Sequence, residues 1–593
     1  MNHGSSTAGV KAFNCWSGKD IVNRQWNQII TPGLYKDLTI RLKSDEPPHR
    51  ALQLLDATLV LPHIRYLTLV DLTASNLGTT VDVGRYLNET LPENINVPPV
   101  LRGYKGSWDP IISLIQRLPC LERLHLLLPP SYPSELLDTL AETHPNCQLS
   151  VVSASPDTYR ADITQTKWIR SPVLNAAWVV YHENPHHVHY TEHPDRFLRN
   201  ILYQAPGMKR LTLQISATAG LSSCPKYAKW LQAQPLENEI DANPRAQLEI
   251  LSLPLISSMT AQKLQAWSRV TDLKCLTAWT AGGIEDITLF TTIAELQPFR
   301  ALKRLTLTLN PPSNSPAWPP SVKAMFDALP PLTYLCLLGS YDPEWLPTGV
   351  LDRHGPTLTE LQLHRPRPRF QNYETYRLRQ KGEIAPIFPA EVIVRMGTRC
   401  PVLQTLRICV QRHRGHPVET AAYDALGQFP ALQTLDLLLH CPPMMVPGHR
   451  APFPPRDLSP WEQELIPIAI DHYPLWTFRD CLINCAFDEA LVTAIFTRIR
   501  TGRVTGGRLR LLRLHALASK YVLGGGKMNS AMFGAWQVEW NGASGVRAEN
   551  RFSSHPDVGR MMRPRDLDIF RSIWPSDREP GTWPLEWHSW PLQ

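Results

Sequence analysis

The pentapeptide His182-Glu183-Asn184-Pro185-His186 has the residue types and spacing of a hydrolytic zinc site, with two imidazoles to hold the metal and a glutamate to act as base. That chemistry needs both histidines on one helical face, one turn apart. Pro185 lies inside the span and opposes a helix, and Pro194 follows soon after. His187, His189 and His193 add imidazoles that would make an adventitious ion site, but the stretch reads as a His-rich loop inserted between regular elements. Gly524-Gly525-Gly526-Lys527-Met528 invites a phosphate-loop reading that fails twice. Tyr521 stands where the first glycine is needed, and Met528 stands where Ser or Thr would follow the lysine. Cys481 and Cys485 are four apart, with no second pair to complete a zinc set. The expectation is a chain with no catalytic residue, no metal and no cofactor.

Chemistry of another kind, recognition, is spread along a repeated pattern. Leu-x-x-Leu-x-Leu, with a proline two residues upstream, occurs at Pro62 with Ile64/Leu67/Leu69, Pro119 with Leu121/Leu124/Leu126, and Pro206 with Met208/Leu211/Leu213. It returns at Pro330, Pro356, Pro401 and Pro430, leading to Leu332/Leu335/Leu337, Leu358/Leu361/Leu363, Leu403/Leu406/Ile408 and Leu432/Leu435/Leu437. Leu248/Leu251/Leu253, Leu302/Leu305/Leu307 and Leu509/Leu512/Leu514 lack the proline, and Val270/Leu273/Cys275 is a weak copy.

In each copy the last two apolar residues are two apart, so in a strand both point to one face. Helical stripes precede several copies. Ser321 is placed to cap a helix carrying Val322, Met325, Phe326 and Leu329, and Ile111, Leu114, Ile115 and Leu118 repeat the design. One strand and one helix cannot bury both apolar faces alone, but stacked copies can. The pattern is that of a leucine-rich-repeat protein, so the expected fold class is α/β: an irregular leucine-rich-repeat solenoid, or horseshoe, with a short helical N-terminus and a C-terminal cap. The turn-closing asparagine of such repeats appears only as Asn310. The solenoid is expected over 43–520, with insertions at 150–205 and 441–470 and a Trp-rich cap over 521–593.

The residues between and beside the strand leucines face outward. In order they include Tyr66/Thr68, Arg123/His125, Arg210/Thr212, Asp272/Lys274 and Arg304/Thr306, then Tyr334/Cys336, Glu360/Gln362, Thr405/Arg407 and Thr434/Asp436. Arg123, Arg210, Arg304 and Arg407, with Gln362, are the candidate partner-binding residues. Guanidinium groups there would suit an acidic or phosphorylated protein, although solubilising charge is the favoured explanation for them.

The balance of 60 Lys+Arg against 53 Asp+Glu gives a net charge of +7, which is mild over 593 residues and does not point to nucleic acid. The basic runs His364–Arg369 and Gln411–Arg414 read as solvated loops, with a nuclear-localisation role as the other reading. No apolar run reaches the length of a membrane span, and the start of the chain has no apolar signal region. Eleven scattered cysteines suit a reduced cytoplasmic or nuclear setting, where the sequon at Asn88 would go unused.

Asp20–Ile40 contains Asn23-Arg24-Gln25-Trp26, Ile29-Ile30, Pro32-Gly33 and Leu34-Tyr35. This segment resembles the second half of an F-box, in which a helix ending in Arg-x-Trp is followed by a break and then Leu-Tyr or Leu-Trp. Fungal F-box/leucine-rich-repeat proteins in particular look like this, and Phe478–Phe496 and the Ile569–Pro575 and Trp587–Leu592 segments resemble their C-terminal parts. The Leu-Pro-x-Glu-Ile first helix of the box is missing from Met1–Lys19, so residues 1–42 form a truncated F-box-like segment. The resemblance implies a substrate-recognition subunit of a Skp–cullin–F-box ubiquitin ligase. It would bind the Skp-type adaptor through Trp26, Ile29, Leu34 and Tyr35 and hold a target protein on the repeats. The alternatives are a repeat scaffold with no ubiquitin-ligase role and, as a third class, a zinc hydrolase using His182 and His186.

Overall fold

The computed structural model describes residues 35–42, 60–71, 106–127, 132–153, 167–183, 193–217, 245–253, 259–284, 286–309, 315–339, 341–364, 386–441, 465–468, 471–502, 508–517, 535–542, 545–550 and 570–575, with isolated positions besides. Two compact units result: Met1–Arg85 with Glu93–Trp178, and Tyr86–Pro92 with Val179–Gln593.

In the first unit the paired leucines do what their spacing requires. Strands β1 (Asp37–Leu42), β2 (Tyr66–Asp71), β3 (Arg123–Leu127) and β4 (Gln148–Ser153) lie side by side and parallel. Leu38, Leu67, Leu124 and Leu149 share one row, and Ile40, Leu69, Leu126 and Val151 the next. Helices α1 (Asp109–Arg117) and α2 (Ser134–Thr143) bury Ile111, Leu114 and Ile115, and Leu136, Leu137 and Leu140. A parallel crossover of this kind needs a helix or long loop to return the chain, and the apolar helix stripes supply it. Strand β5 (Leu174–Glu183) begins in this unit and ends in the second.

The second unit repeats the design at greater length. After helix α3 (His193–Gln204) come β6 (Arg210–Ala217), β7 (Ile250–Ser252), α4 (Ala261–Val270), β8 (Ala278–Ile284), α5 (Ile287–Leu296) and β9 (Arg304–Leu309). Then follow α6 (Trp318–Ala328), β10 (Tyr334–Gly339), β11 (Glu360–His364), α7 (Ala390–Arg399), β12 (Thr405–Gln411), α8 (Pro417–Leu426) and β13 (Thr434–His440). A hairpin of β14 (Leu465–Ile468) and β15 (Asp471–Pro474) leads to α9 (Leu475–Cys485), α10 (Glu489–Thr501) and β16 (Leu511–Leu517). Strands β6 to β13 and then β16 are parallel neighbours in that order. The ladder ends in β17 (Ala535–Trp540) and β18 (Val546–Asn550), both antiparallel to their neighbours.

The apolar residues of all ten full Leu-x-x-Leu-x-Leu copies are at most 5% exposed. Each buried leucine side chain is worth about 1.5–3 kcal/mol against exposure, which is why these positions stay apolar from copy to copy. The stripe Val322, Met325, Phe326 and Leu329 is likewise buried.

Three expectations are corrected. Ser321 sits inside α6, with Ala317 at the N-cap; its hydroxyl donates back to the Ala317 carbonyl at 2.9 Å. Pro319 and Pro320 fill the first turn, where a missing N–H costs nothing, so the helix starts earlier. The weak copy Val270/Leu273/Cys275 is not a strand: 273–275 is a turn of 3₁₀ helix, capped by the Asp272 side chain. The strand of that repeat is β8, whose Trp279 and Ala281 register with Leu305 and Leu307. Consequently Ala278 and Thr280, and not Asp272 and Lys274, hold its outward positions. The stretch 150–205 contains the end of β4, then β5 and α3, so its described part is built of strand and helix.

The third correction concerns the basic run at 411–414. Arg412 is fully buried and paired with Glu419, and Arg414 pairs with Asp480. His364, the first residue of the other run, is also fully buried, and 365–369 lie outside the described residues. Among the described residues, no helix is long and apolar enough to cross a membrane.

Candidate protein-interaction surface

A backbone spine sets the position of every outward side chain. At ten of the strands the carbonyl of the residue just before the strand accepts two successive N–H groups from the next repeat. In the first unit Lys36 O accepts from Arg65 and Tyr66, and Arg65 O accepts from Glu122 and Arg123. In the second unit the same pair of bonds is made by Lys209, Glu249, Thr277, Lys303, Thr333, Thr359, Gln404 and Gln433. Threonine hydroxyls reinforce it where they occur: Thr277, Thr333 and Thr359 donate to the carbonyls of Glu249, Lys303 and Thr333 at 3.0, 3.2 and 3.0 Å. These strands therefore start in the same register, and residues at equal repeat positions form rows.

The first outward row of the second unit runs Arg210, Ile250, Ala278, Arg304, Tyr334, Glu360, Thr405, Thr434, Leu511 and Glu539. All but Ala278 are partly exposed. The next row, two residues along, runs Thr212, Ser252, Thr280, Thr306, Cys336, Gln362, Arg407, Asp436, Arg513 and Gln537. Here Cys336 is fully buried and Arg407 is only 8% exposed. A third row, with Thr308, Leu338, His364, Cys409 and Leu438, is buried, and Ile387 and Leu517 pack on Cys409 and Leu438. From β9 to β13 accessibility is thus greatest at the strand starts and returns only at Gln411 and His440.

The candidate arginines separate accordingly. Arg123 belongs to the first unit, where its guanidinium and the Lys36 ammonium lie 5.2 and 5.0 Å from the centroid of the Tyr66 ring. Beside it Arg65 and Glu122 form an exposed ion pair; the hydrogen bond to Arg65 holds the Glu122 carboxyl below its ordinary range. Arg210 and Arg304 lie in one row of the second unit. The Arg304 guanidinium lies over the Tyr334 ring, 4.1 Å from its centroid, a cation–π contact. Gln362 donates to Glu360 at 2.8 Å. Arg407 sits in the next row and is only 8% exposed, so within the second unit it does not share the outer row of Arg210 and Arg304.

His125 and Thr68, read as outward-facing in the first unit, are 5% and 7% exposed. The lysines Lys209 and Lys303, one residue ahead of Arg210 and Arg304, were not among the sequence candidates. Their signal is their place just before each strand, which brings them to the same rim.

Tyr35 stands two residues ahead of β1 and is half-buried; Trp26, Ile29 and Leu34 lie outside the described residues. His182 and Glu183 are the last two residues of β5, an extended segment and not the helical turn the zinc motif needs, and Asn184 to His186 lie outside the described residues. Among the described residues no group of three or more His, Cys, Asp or Glu could hold a metal ion. Cys481 and Cys485 are buried in the core with sulfurs 4.0 Å apart, and burial pushes the Cys485 thiol well up. Gly524–Met528, Asn310 and Asn88 lie outside the described residues.

No protein-family model matches the chain, and no curated protein matches it. Among solved structures it is similar to the leucine-rich repeat-containing protein LegL7 from Legionella pneumophila, at 13% identity and a TM-score of 0.24, over 51% of this chain and 90% of that one. The repeat geometry described above stands without that likeness.

Proposed function

We propose that this chain is a non-catalytic protein-interaction module that presents a target-binding row on a leucine-rich-repeat framework. One observation carries the reading. Leu305, Leu335, Leu361, Leu406 and Leu435 repeat without change, fully buried, while the residues just ahead of them are Arg304, Tyr334, Glu360, Thr405 and Thr434 and face outward. A constant interior with a varied, ordered outer row is what recognition of a specific protein requires, and it offers no assembled set of acid, base and nucleophile.

The finer proposal is that the module recruits its target to a Skp-type adaptor of a cullin ubiquitin ligase. Its support is the Trp26 to Tyr35 segment, whose Tyr35 leads directly into β1 as the F-box resemblance implies. The protein would then act by raising the effective concentration of target near the ligase. A pull-down of the full chain with purified Skp adaptor, beside a Trp26→Ala/Leu34→Ala variant, tests it. Capture by the parent chain and loss in the variant is the expected result. Capture of neither overturns the ligase role and leaves the scaffold.

A further inference from the structure

Arg210 and Arg304 occupy equivalent positions three strands apart, through the register Arg210–Ile250–Ala278–Arg304. At the usual strand spacing this places them about 14 Å apart along a line crossing the strands. An extended peptide advances about 3.3 Å per residue, so about four residues span that gap. Between the two arginines the row is small and apolar, Ile250 and Ala278, and offers no competing charge.

The surroundings reinforce one sign. Lys209 and Lys303 precede the two arginines on the rim, giving four cations against Glu249 and Asp272. The adjoining row consists of hydroxyls in register, Thr212, Ser252, Thr280 and Thr306, all partly exposed. The Arg304 guanidinium lies over the Tyr334 ring, 4.1 Å from its centroid. A planar guanidinium resting on an aromatic face keeps its donors oriented for an oxyanion at little entropic cost.

From this arrangement, and resting on the interaction reading above, we infer that strands β6 to β10 bind an extended peptide carrying two anionic groups about four residues apart. Phosphoserine or a run of acidic side chains would supply them. One anion meets Arg210 with Lys209, the other meets Arg304 with Lys303, and the hydroxyl row accepts or donates along the peptide between them. Nucleic acid fits less well, because Tyr334 is the only aromatic ring in this stretch of the described row and already lies under Arg304.

The test is fluorescence anisotropy on the full chain with labelled short peptides. One carries two phosphoserines four positions apart, a second carries them adjacent, a third has glutamates at the four-apart positions, and a fourth has serines there. A single-stranded oligothymidylate of matched charge is the fifth probe. The four-apart phosphopeptide is expected to bind about tenfold or more tighter than the adjacent and serine peptides, with the glutamate peptide separating acidic from phosphorylated partners. Arg210→Gln and Arg304→Gln are each expected to weaken it about tenfold, while Arg547→Gln, on exposed β18, leaves it unchanged. Thermal melts matching the parent chain show that the variants fold. Equal binding of all peptides, insensitivity to both variants, or preference for the oligonucleotide overturns the site. Such a failure with Skp capture intact removes this site alone and not the proposed adaptor role.

Discussion

The guanidinium of Arg412 donates to Glu419 Oε1 at 2.6 Å, and the two side chains are 0% and 1% exposed. Around them the carboxylate is saturated: Tyr423 donates to Oε1 at 2.6 Å, and the His413 and Gly415 amides donate to Oε2 at 2.6 and 2.9 Å. Positive φ at Arg414 and Gly415, 52° and 77°, turns those amides toward Glu419. The next link is to α9: Asn484 accepts from the Arg414 amide at 3.1 Å and donates to the Cys441 carbonyl at 3.0 Å. A buried ion pair whose carboxylate is so fully hydrogen-bonded ties together β12, β13, α8 and α9.

Breaking that pair from one side leaves a charge buried without its partner. Glu419→Ala is expected to destabilise the second unit by about 3–5 kcal/mol, whereas Arg412→Met with Glu419→Leu together cost far less. Urea unfolding followed by intrinsic tryptophan fluorescence reads the difference. A single-variant loss below about 1 kcal/mol would sink the hub as a structural element.

Acid is expected to loosen the second unit through His354. Burial lowers its pKa to about 4, and the Leu332 amide donates to Nδ1 at 3.3 Å while Nε2 lies 3.0 Å from the Phe326 carbonyl, the bonds of a neutral ring. Between the ordinary value of 6.5 and about 4 the unfolded chain takes up a proton that the folded chain does not. The stability this histidine contributes is therefore intact above 6.5 and falls as pH falls through that window, by about 3 kcal/mol in all. His413, also lowered to about 4 by burial and by His416, acts in the same direction. Unfolding midpoints near neutral and near pH 5 should converge in His354→Gln relative to the parent; an unchanged slope would refute the assignment.

How far these features were legible beforehand depended on how local their cause is. Leu335 and Leu337 announce a strand because a spacing of two can only share a face in extended chain, and Pro330 marks where the helix must stop. Strands β4 and β8 escaped notice because Cys147 precedes one and Trp279 and Ala281 replace leucine in the other, so burial is kept while the letter pattern is lost. Arg412 looked like loop charge since its partner is seven residues away across a left-handed turn. That Arg210 and Arg304 share a row while Arg407 sits one row on, and buried, follows from strand register, which single-strand periodicity does not contain.

Backbone approach sets a sharper limit than side-chain packing at Gly355. A Cβ there would lie 2.3 Å from the Arg399 carbonyl oxygen and 3.2 Å from the Cys400 sulfur. A backbone oxygen at the end of α7 cannot swing aside as a flexible side chain would. Gly355→Ala is expected to cost about 1–3 kcal/mol, while Gly207→Ala, with nothing within 4 Å, stays within about 1 kcal/mol of the parent. Equal thermal shifts in the two variants would remove the steric argument.

The last prediction sets framework against recognition row within one strand. Leu406 lies between Leu361 and Leu435 in register and is fully buried, while its neighbour Thr405 points outward and is partly exposed. Leu406→Ala removes packing on both sides and leaves a cavity, an expected loss of about 2–5 kcal/mol. Thr405→Ala removes a hydroxyl that faces outward and should stay within about 0.5 kcal/mol. A chain of this length need not unfold in one step, so the readout is hydrogen exchange at the β12 amides: protection should drop sharply in the first variant and hold in the second. If Thr405→Ala lost protection comparably, the outer row would itself be carrying the fold. It would then not be free to vary for a partner, and an interaction module could not be built on it.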